Sequence, residues 1–145
     1  VNIPVLHADS MLMEHRLRDA GLRPTRQRVA LANLIFARGD RHLSAEELHE
    51  EAVVADVPVS LATVYNTLHQ FTEAGMLRII AIEGAKTYFD TNISDHQHFF
   101  LEGENVVFDI PHSAKGQPVV ANMPDAPEGM EIVNVDIIVR LRRKS

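Results

Sequence analysis

SLATVYNTLHQFTEAG, residues 60–75, is the stretch that decides the fold. Ser60 carries the short oxygen-bearing side chain of a helix N-cap, and Gly75 supplies the left-handed residue that stops a helix. Between them Leu61, Val64, Leu68 and Phe71 recur at steps of three and four, which predicts one buried stripe on a helix over 61–74. The other face shows Thr63, Asn66, Thr67 and Gln70 beside Tyr65. Their donors, acceptors and methyl groups suit base edges in a major groove. The same residue types are common on any solvated face, so the neighbouring elements have to decide.

Toward the N-terminus, Ser44 and Glu47 make a capping box, and Leu43 and Leu48 can form the hydrophobic staple around it. That helix runs to about Ala55, and Pro58 separates it from the next. Thr25 caps a helix over 26–38 with Val29, Leu31, Leu34 and Ile35 on a common face, ended by Gly39-Asp40. A short helix over 11–20 ends at Gly21, and residues 1–10 read as a loose arm. Toward the C-terminus, Leu77–Ile82 and Lys86–Asp90 flank Glu83-Gly84-Ala85, a hairpin signal. Three helices followed by a hairpin describe a winged helix, with 61–74 as the recognition helix of its helix-turn-helix. Order of elements therefore favours DNA over a protein contact, although such folds serve both.

Past residue 92 the character changes. Phe99–Leu101, Val106–Ile110, Val119–Val120 and Ile132–Leu141 are β-branched and apolar, punctuated by turns at 102–105, 115–116 and 124–129. In the last run Val135, Ile137, Val139 and Leu141 alternate with Asp136, Ile138, Arg140 and Arg142, which predicts a strand with one buried face. A unit of about 50 residues buries little surface alone, and pairing across a two-fold solves that. The reading is an α+β chain: an N-terminal winged helix-turn-helix with its arm over 1–90, then a small α/β dimerisation and sensing domain over 91–145.

Composition narrows the class. Of 145 residues 46% are hydrophobic and 23% charged, enough apolar content for a folded core. No apolar run approaches the ~20 residues that span a bilayer, and the first ten residues lack the pattern of a signal peptide. A cytoplasmic protein with no membrane partner is expected. Cysteine is absent, so disulfides, thiolate metal sites and cysteine nucleophiles are excluded. The net charge of −6 argues against a generic nucleic-acid binder. Locally, however, Arg16, Arg18, Arg23, Arg26 and Arg28 outnumber Glu14 and Asp19. That stripe is either a solvated face or a set of phosphate contacts.

Asp90, Asp95, His96, His98 and Asp109 lie close in sequence. On a strand, His96 and His98 share a face, and imidazoles with carboxylates suit Zn²⁺, Fe²⁺ or Mn²⁺. A lone His-x-His pair is often only two surface histidines; the nearby carboxylates favour a ligand site. His42 reaches that cluster only if folding brings it there. His96-x-His98-x-x-x-Glu102 also resembles the first motif of the cupins, a metalloenzyme alternative, but the second cupin motif has no match. No activated serine, phosphate-binding glycine loop or paired catalytic acid stands out, and an enzyme is not expected.

The segments GLRPTRQR (21–28), HLSAEEL (42–48), LATVYNTL (61–68) and Phe71 with Ala74-Gly75, in this order and spacing, resemble the ferric uptake regulator family over about residues 15–110. The stretch HQHFFLEGE (96–104) and the absence of cysteine look most like the iron response regulators of rhizobia and related α-proteobacteria. The resemblance implies a homodimeric iron- or haem-responsive regulator that binds a pseudo-palindromic operator in double-stranded DNA. A divalent-metal repressor sensing Mn, Zn or Fe is the alternative. It implies that Tyr65 contacts bases and Arg23 reaches the minor groove, and the DNA-binding set becomes Arg23, Arg26, Arg28, Ser60, Thr63, Tyr65 and Asn66. It also maps the regulatory metal site onto His42, Asp90, His96, His98 and Asp109, with aspartate replacing the family's glutamate at 90 and 109. Leu101 and Glu104 stand where the family often has Cys-x-x-Cys, so a structural zinc held by four cysteines is not expected. The second histidine–carboxylate site is poorly matched at Asp95 and Gln97, and the family's helix near 113–128 meets Gly116, Pro118, Pro124 and Pro127. The cysteine–proline haem motif is missing, so the resemblance implies that any haem is held by histidine, with His96 and His98 as the candidates.

Overall fold

The computed structural model describes residues 3–82, 86–94, 97–111 and 115–145, with backbone alone for 3–10. They divide into two compact units, the first ending at Ile93 and the second beginning at Ser94.

The first unit holds helices α1 (Ile3–Asp19), α2 (Arg26–Phe36), α3 (Ala45–Val54) and α4 (Leu61–Glu73), and strands β1 (His42–Leu43), β2 (Arg78–Ile80) and β3 (Tyr88–Asp90). Residues 3–10 of the expected arm are instead the start of α1. Its Pro4 sits in the first turn, where the missing N–H has no intrahelical partner to lose. The three caps read from sequence are present: Thr25, Ser44 and Ser60 accept from the backbone N–H of Arg28, Glu47 and Thr63 at 3.2, 3.2 and 3.1 Å. Gly75 ends α4 at φ +80°, with its own N–H on the Thr72 carbonyl and that of Met76 on Phe71. Asp56 takes the same left-handed position after α3 at φ +56°.

One core joins these elements. Leu17 of α1, Leu31 and Ile35 of α2, Leu48 of α3, and Val64, Leu68 and Phe71 of α4 have no exposed surface, and Leu43 and Phe89 close it from the sheet. Each such side chain stabilises the fold by about 1.5–3 kcal/mol relative to exposure. Two details of α4 differ from the expected stripe. Leu61, the first residue of α4, is 42% exposed. Thr67 is buried, and its hydroxyl donates to the Thr63 carbonyl at 2.8 Å, which satisfies it inside.

The sheet of this unit runs β1-β3-β2, antiparallel throughout. The wing strands are shorter than the apolar runs that announced them, and the turn at 83–85 lies outside the described residues. β1 was not foreseen, since two residues are too few to show alternation.

The second unit is a three-stranded sheet, β4 (His98–Leu101), β5 (Val106–Asp109) and β6 (Ile138–Leu141), in the order β5-β4-β6. β4 and β5 form a hairpin; β6 lies parallel to β4. Residues 115–137 hold no helix or strand, and Gly116, Pro118, Pro124 and Pro127 oppose a helix in the first half of that span. The expected strand across 135–141 is reduced to four residues, and Val135 is exposed. Phe99, Leu101, Val106, Phe108, Val139 and Leu141 share one face of the sheet, and the Phe99 and Phe108 rings lie 5.3 Å apart. The face is only half-covered, with Val106 45% and Phe108 41% exposed.

Candidate metal centre and nucleic-acid interface

In the first unit β1 opposes β3 with His42 directly across from Asp90. Thr91 N–H donates to the Arg41 carbonyl at 3.1 Å, so 41 and 91 form the hydrogen-bonded pair. His42 and Asp90 are then the adjacent non-hydrogen-bonded pair, whose side chains stand closest. His42 Nε2 lies 3.2 Å from Asp90 Oδ2. The other carboxylate oxygen accepts the Asn92 N–H at 2.9 Å, which fixes the carboxylate plane. Asp90 is 1% exposed.

The second unit repeats this construction. Ile110 N–H donates to the Gln97 carbonyl at 3.0 Å, and one step along His98 faces Asp109. His98 Nε2 lies 3.3 Å from Asp109 Oδ1, with His98 buried and Asp109 half-exposed. Each unit thus presents one imidazole and one carboxylate at the end of an antiparallel ladder. This donor set is all nitrogen and oxygen, which suits a divalent first-row cation and offers nothing to soft thiophilic ions. His96 and Asp95 lie outside the described residues, and the strand that would align His96 with His98 begins only at His98.

Sequence reading missed what holds β1. Arg41 places its guanidinium on Glu51 of α3 through two bonds, Nη1 to Oε1 at 3.0 Å and Nη2 to Oε2 at 2.6 Å, and Nη1 also reaches the Leu34 carbonyl at 3.3 Å. The bidentate bond to Arg41 holds the Glu51 carboxyl below its ordinary range against the opposing effect of burial. The Arg41 N–H donates to Thr91 Oγ1 at 2.8 Å. One residue before His42 is therefore tied both to α3 and to the residue after Asp90. No local pattern announces partners ten and fifty positions away.

The DNA-binding candidates gather around α4. Tyr65 and Asn66 are exposed, Thr63 is half-buried, and Ser60 caps the helix while donating to Thr63 Oγ1 at 3.0 Å. Leu61 and Ala62 are exposed beside them, and with Tyr65, Asn66 and Glu46 line a notch of about 450 Å³. Arg28 is already engaged: Nε and Nη2 reach Gln70 Oε1 at 3.3 and 3.0 Å, and Nη1 reaches the Arg23 carbonyl at 2.9 Å. It links the start of α2 to α4 as well as offering charge. Arg23 and Arg26 lie before and at the start of α2, and Arg26 borders a separate depression with Pro24 and Glu14.

Among the described residues, four helices, a three-stranded wing sheet and a small second sheet build a winged-helix transcription regulator. The chain belongs to the ferric uptake regulator family, whose profile matches residues 19–139. It is 30% identical over 137 residues to the ferric uptake regulation protein of Pseudomonas aeruginosa, covering 92% of this chain and 99% of that one. With the corresponding protein of Bordetella parapertussis it shares 35% identity over 112 residues, 74% of this chain and 80% of the relative. The solved ferric uptake regulator from Pseudomonas aeruginosa with manganese superposes with a TM-score of 0.67 at 25% identity, covering 92% of this chain and 98% of that one. The family's members are metal-responsive transcription regulators that bind DNA and act as dimers, and this chain is a metal-responsive transcription regulator of that family. Among the described residues no helix is long and apolar enough to cross a membrane.

Proposed function

We propose that this chain is a homodimeric repressor or activator, responsive to iron or another divalent metal, working in the cytoplasm. A divalent cation, Fe²⁺, Mn²⁺ or Zn²⁺, is its effector, and His42, Asp90, His96, His98 and Asp109 are the ligand set. The observation that carries this is the pair of cross-strand His–Asp contacts, at 3.2 and 3.3 Å, one in each unit. A cation held by these residues would neutralise the two carboxylates, and His42 and His98 would have to be neutral to ligate it. Metal occupancy then governs whether the two winged helices of a dimer address both half-sites of a pseudo-palindromic operator. Arg26 and Arg28 contact phosphates, Arg23 reaches the minor groove, and Ser60, Thr63, Tyr65 and Asn66 face the bases. The half-covered face around Phe99 and Phe108 pairs with the same face of a second copy.

Haem is the second reading, favoured by the likeness of residues 96–104 to the iron response regulators. His98 or His96 is then the axial ligand. Burial of His98 against Asp109 supports the small cation instead, because a macrocycle has to displace that carboxylate. The test titrates Mn²⁺, Zn²⁺, Fe²⁺ and haem separately into the chain on a duplex that it selects from a randomised pool. A metal-dependent change in DNA binding that disappears in His42→Ala/His98→Ala supports the metal reading. Insensitivity to every metal, with a haem absorption band lost in His98→Ala, supports haem. Wild-type metal response in the double variant overturns the assigned site.

A further inference from the structure

Tyr65 projects from α4 with 42% of its surface exposed, yet its ring has aromatic neighbours. His69, one helical turn on, has its ring centroid 4.6 Å away at a tilt of 53°. Phe89 of β3 meets the His69 ring edge-on at 5.4 Å and 85°, and the Tyr65 ring at 6.5 Å and 89°. The three rings form a graded stack. Phe89 has no exposed surface and is held between Leu43 and Ile79 in the sheet register. His69 is half-buried, and Tyr65 reaches solvent.

We propose that His69 is a positioning residue for Tyr65, carrying the rigidity of the buried Phe89 ring out to the exposed tyrosine so that it meets DNA already oriented. This rests on the reading of Tyr65 as a base-contacting residue. Residues four apart on a helix are neighbours, and centroid separations of about 4.5–7 Å are those at which tilted and edge-on rings attract. An isolated surface tyrosine samples several rotamers and loses that freedom on binding. A tyrosine already stacked on His69 has lost most of it in the free protein, so more of its contact with DNA appears as affinity and as discrimination. His69 does this through Tyr65 and not by touching bases.

The test uses the full chain as wild type, His69→Ala, His69→Phe, Tyr65→Ala and the double variant Tyr65→Ala/His69→Ala. The DNA probes are a duplex selected from a randomised pool by the wild type in MnCl₂, and a scrambled duplex. His69→Ala should weaken binding to the selected duplex about 3- to 10-fold, the size of one aromatic pair, and leave the scrambled duplex unchanged. His69→Phe should restore it. In the Tyr65→Ala background, His69→Ala should cost nothing further. NMR of the free chain should show Tyr65 ring protons moved by His69→Ala and kept by His69→Phe. Additive losses in the double variant mean that His69 contacts DNA itself and overturn the proposal. Equal losses on both duplexes, with a lowered melting temperature, mean a merely structural residue and also overturn it. If Tyr65→Ala binds the selected duplex like wild type, or no duplex is selected, the base-contacting reading of Tyr65 fails and the proposal falls with it.

Discussion

His98 and Asp109 face each other across β4 and β5 at the same ladder position that His42 and Asp90 occupy across β1 and β3, next to a closing backbone hydrogen bond in both sheets. Nε2 is 3.3 Å from a carboxylate oxygen in one pair and 3.2 Å in the other. In each pair the strand register brings imidazole and carboxylate together, so neither pair depends on a flexible loop.

Asp109→Asn keeps the shape of the second pair and removes its charge. Affinity for Mn²⁺ or Zn²⁺ by calorimetric titration should fall by at least the ~10–100-fold that loss of even an outer-shell partner costs. The melting temperature of the metal-free chain should hardly move, since Asp109 is half-exposed. Unchanged affinity removes Asp109 from the ligand set.

Glu51→Gln tests the clamp beside His42. Both partners are mostly buried, at 15% and 18% side-chain exposure, so loss of the charged bidentate bond should lower stability by about 1.5–3 kcal/mol in urea unfolding at neutral pH. The Glu51 carboxyl is held below 4.5, so its contribution is full above that pH and fades as pH falls through the lowered value. The gap between wild type and Glu51→Gln should therefore close on acidification. A gap that stays constant from neutral to acid pH argues that the substitution acts by packing.

Arg26 and Tyr65 should fail differently. Arg26→Ala should weaken selected and scrambled duplexes alike and reduce the slope of log K against log salt by roughly 0.9 for one phosphate contact. Tyr65→Ala should lose roughly 1–3 kcal/mol of discrimination at the base pair it reads, with little change in salt slope. Fluorescence anisotropy across a salt series separates the two. An identical salt slope in Arg26→Ala takes Arg26 off the phosphate backbone.

Phe108→Glu places a charge on the half-covered face of the second sheet, beside Phe99. In a dimer built on that face the charge is buried unpaired. Sedimentation at micromolar concentration should show monomer where the wild type shows dimer, with the circular dichroism of the four helices retained. A dimeric variant places the interface elsewhere.

Local signals in the sequence determined the first unit. Thr25, Ser44 and Ser60 are caps whose bonds close within three residues, and Gly75 is a stop that acts through its own φ. Spacing at three and four put Val64, Leu68 and Phe71 inside, because a helix repeats on that scale. The types of candidate ligand, histidine and aspartate without cysteine, were legible for the same reason: donor chemistry belongs to the residue. What neighbours what was decided only by tertiary structure. Nothing near His42 announces Asp90, forty-eight positions on, and nothing near Arg41 announces Glu51 or Thr91; strand register and the packing of α3 set those partners. The exposure of Leu61 and the burial of Thr67 reversed the local pattern, since where a core ends depends on the elements around a helix and not on the helix. The stack of Tyr65, His69 and Phe89 joins a helix to a strand, and a period read along one chain segment carries no information about the distance between two of them.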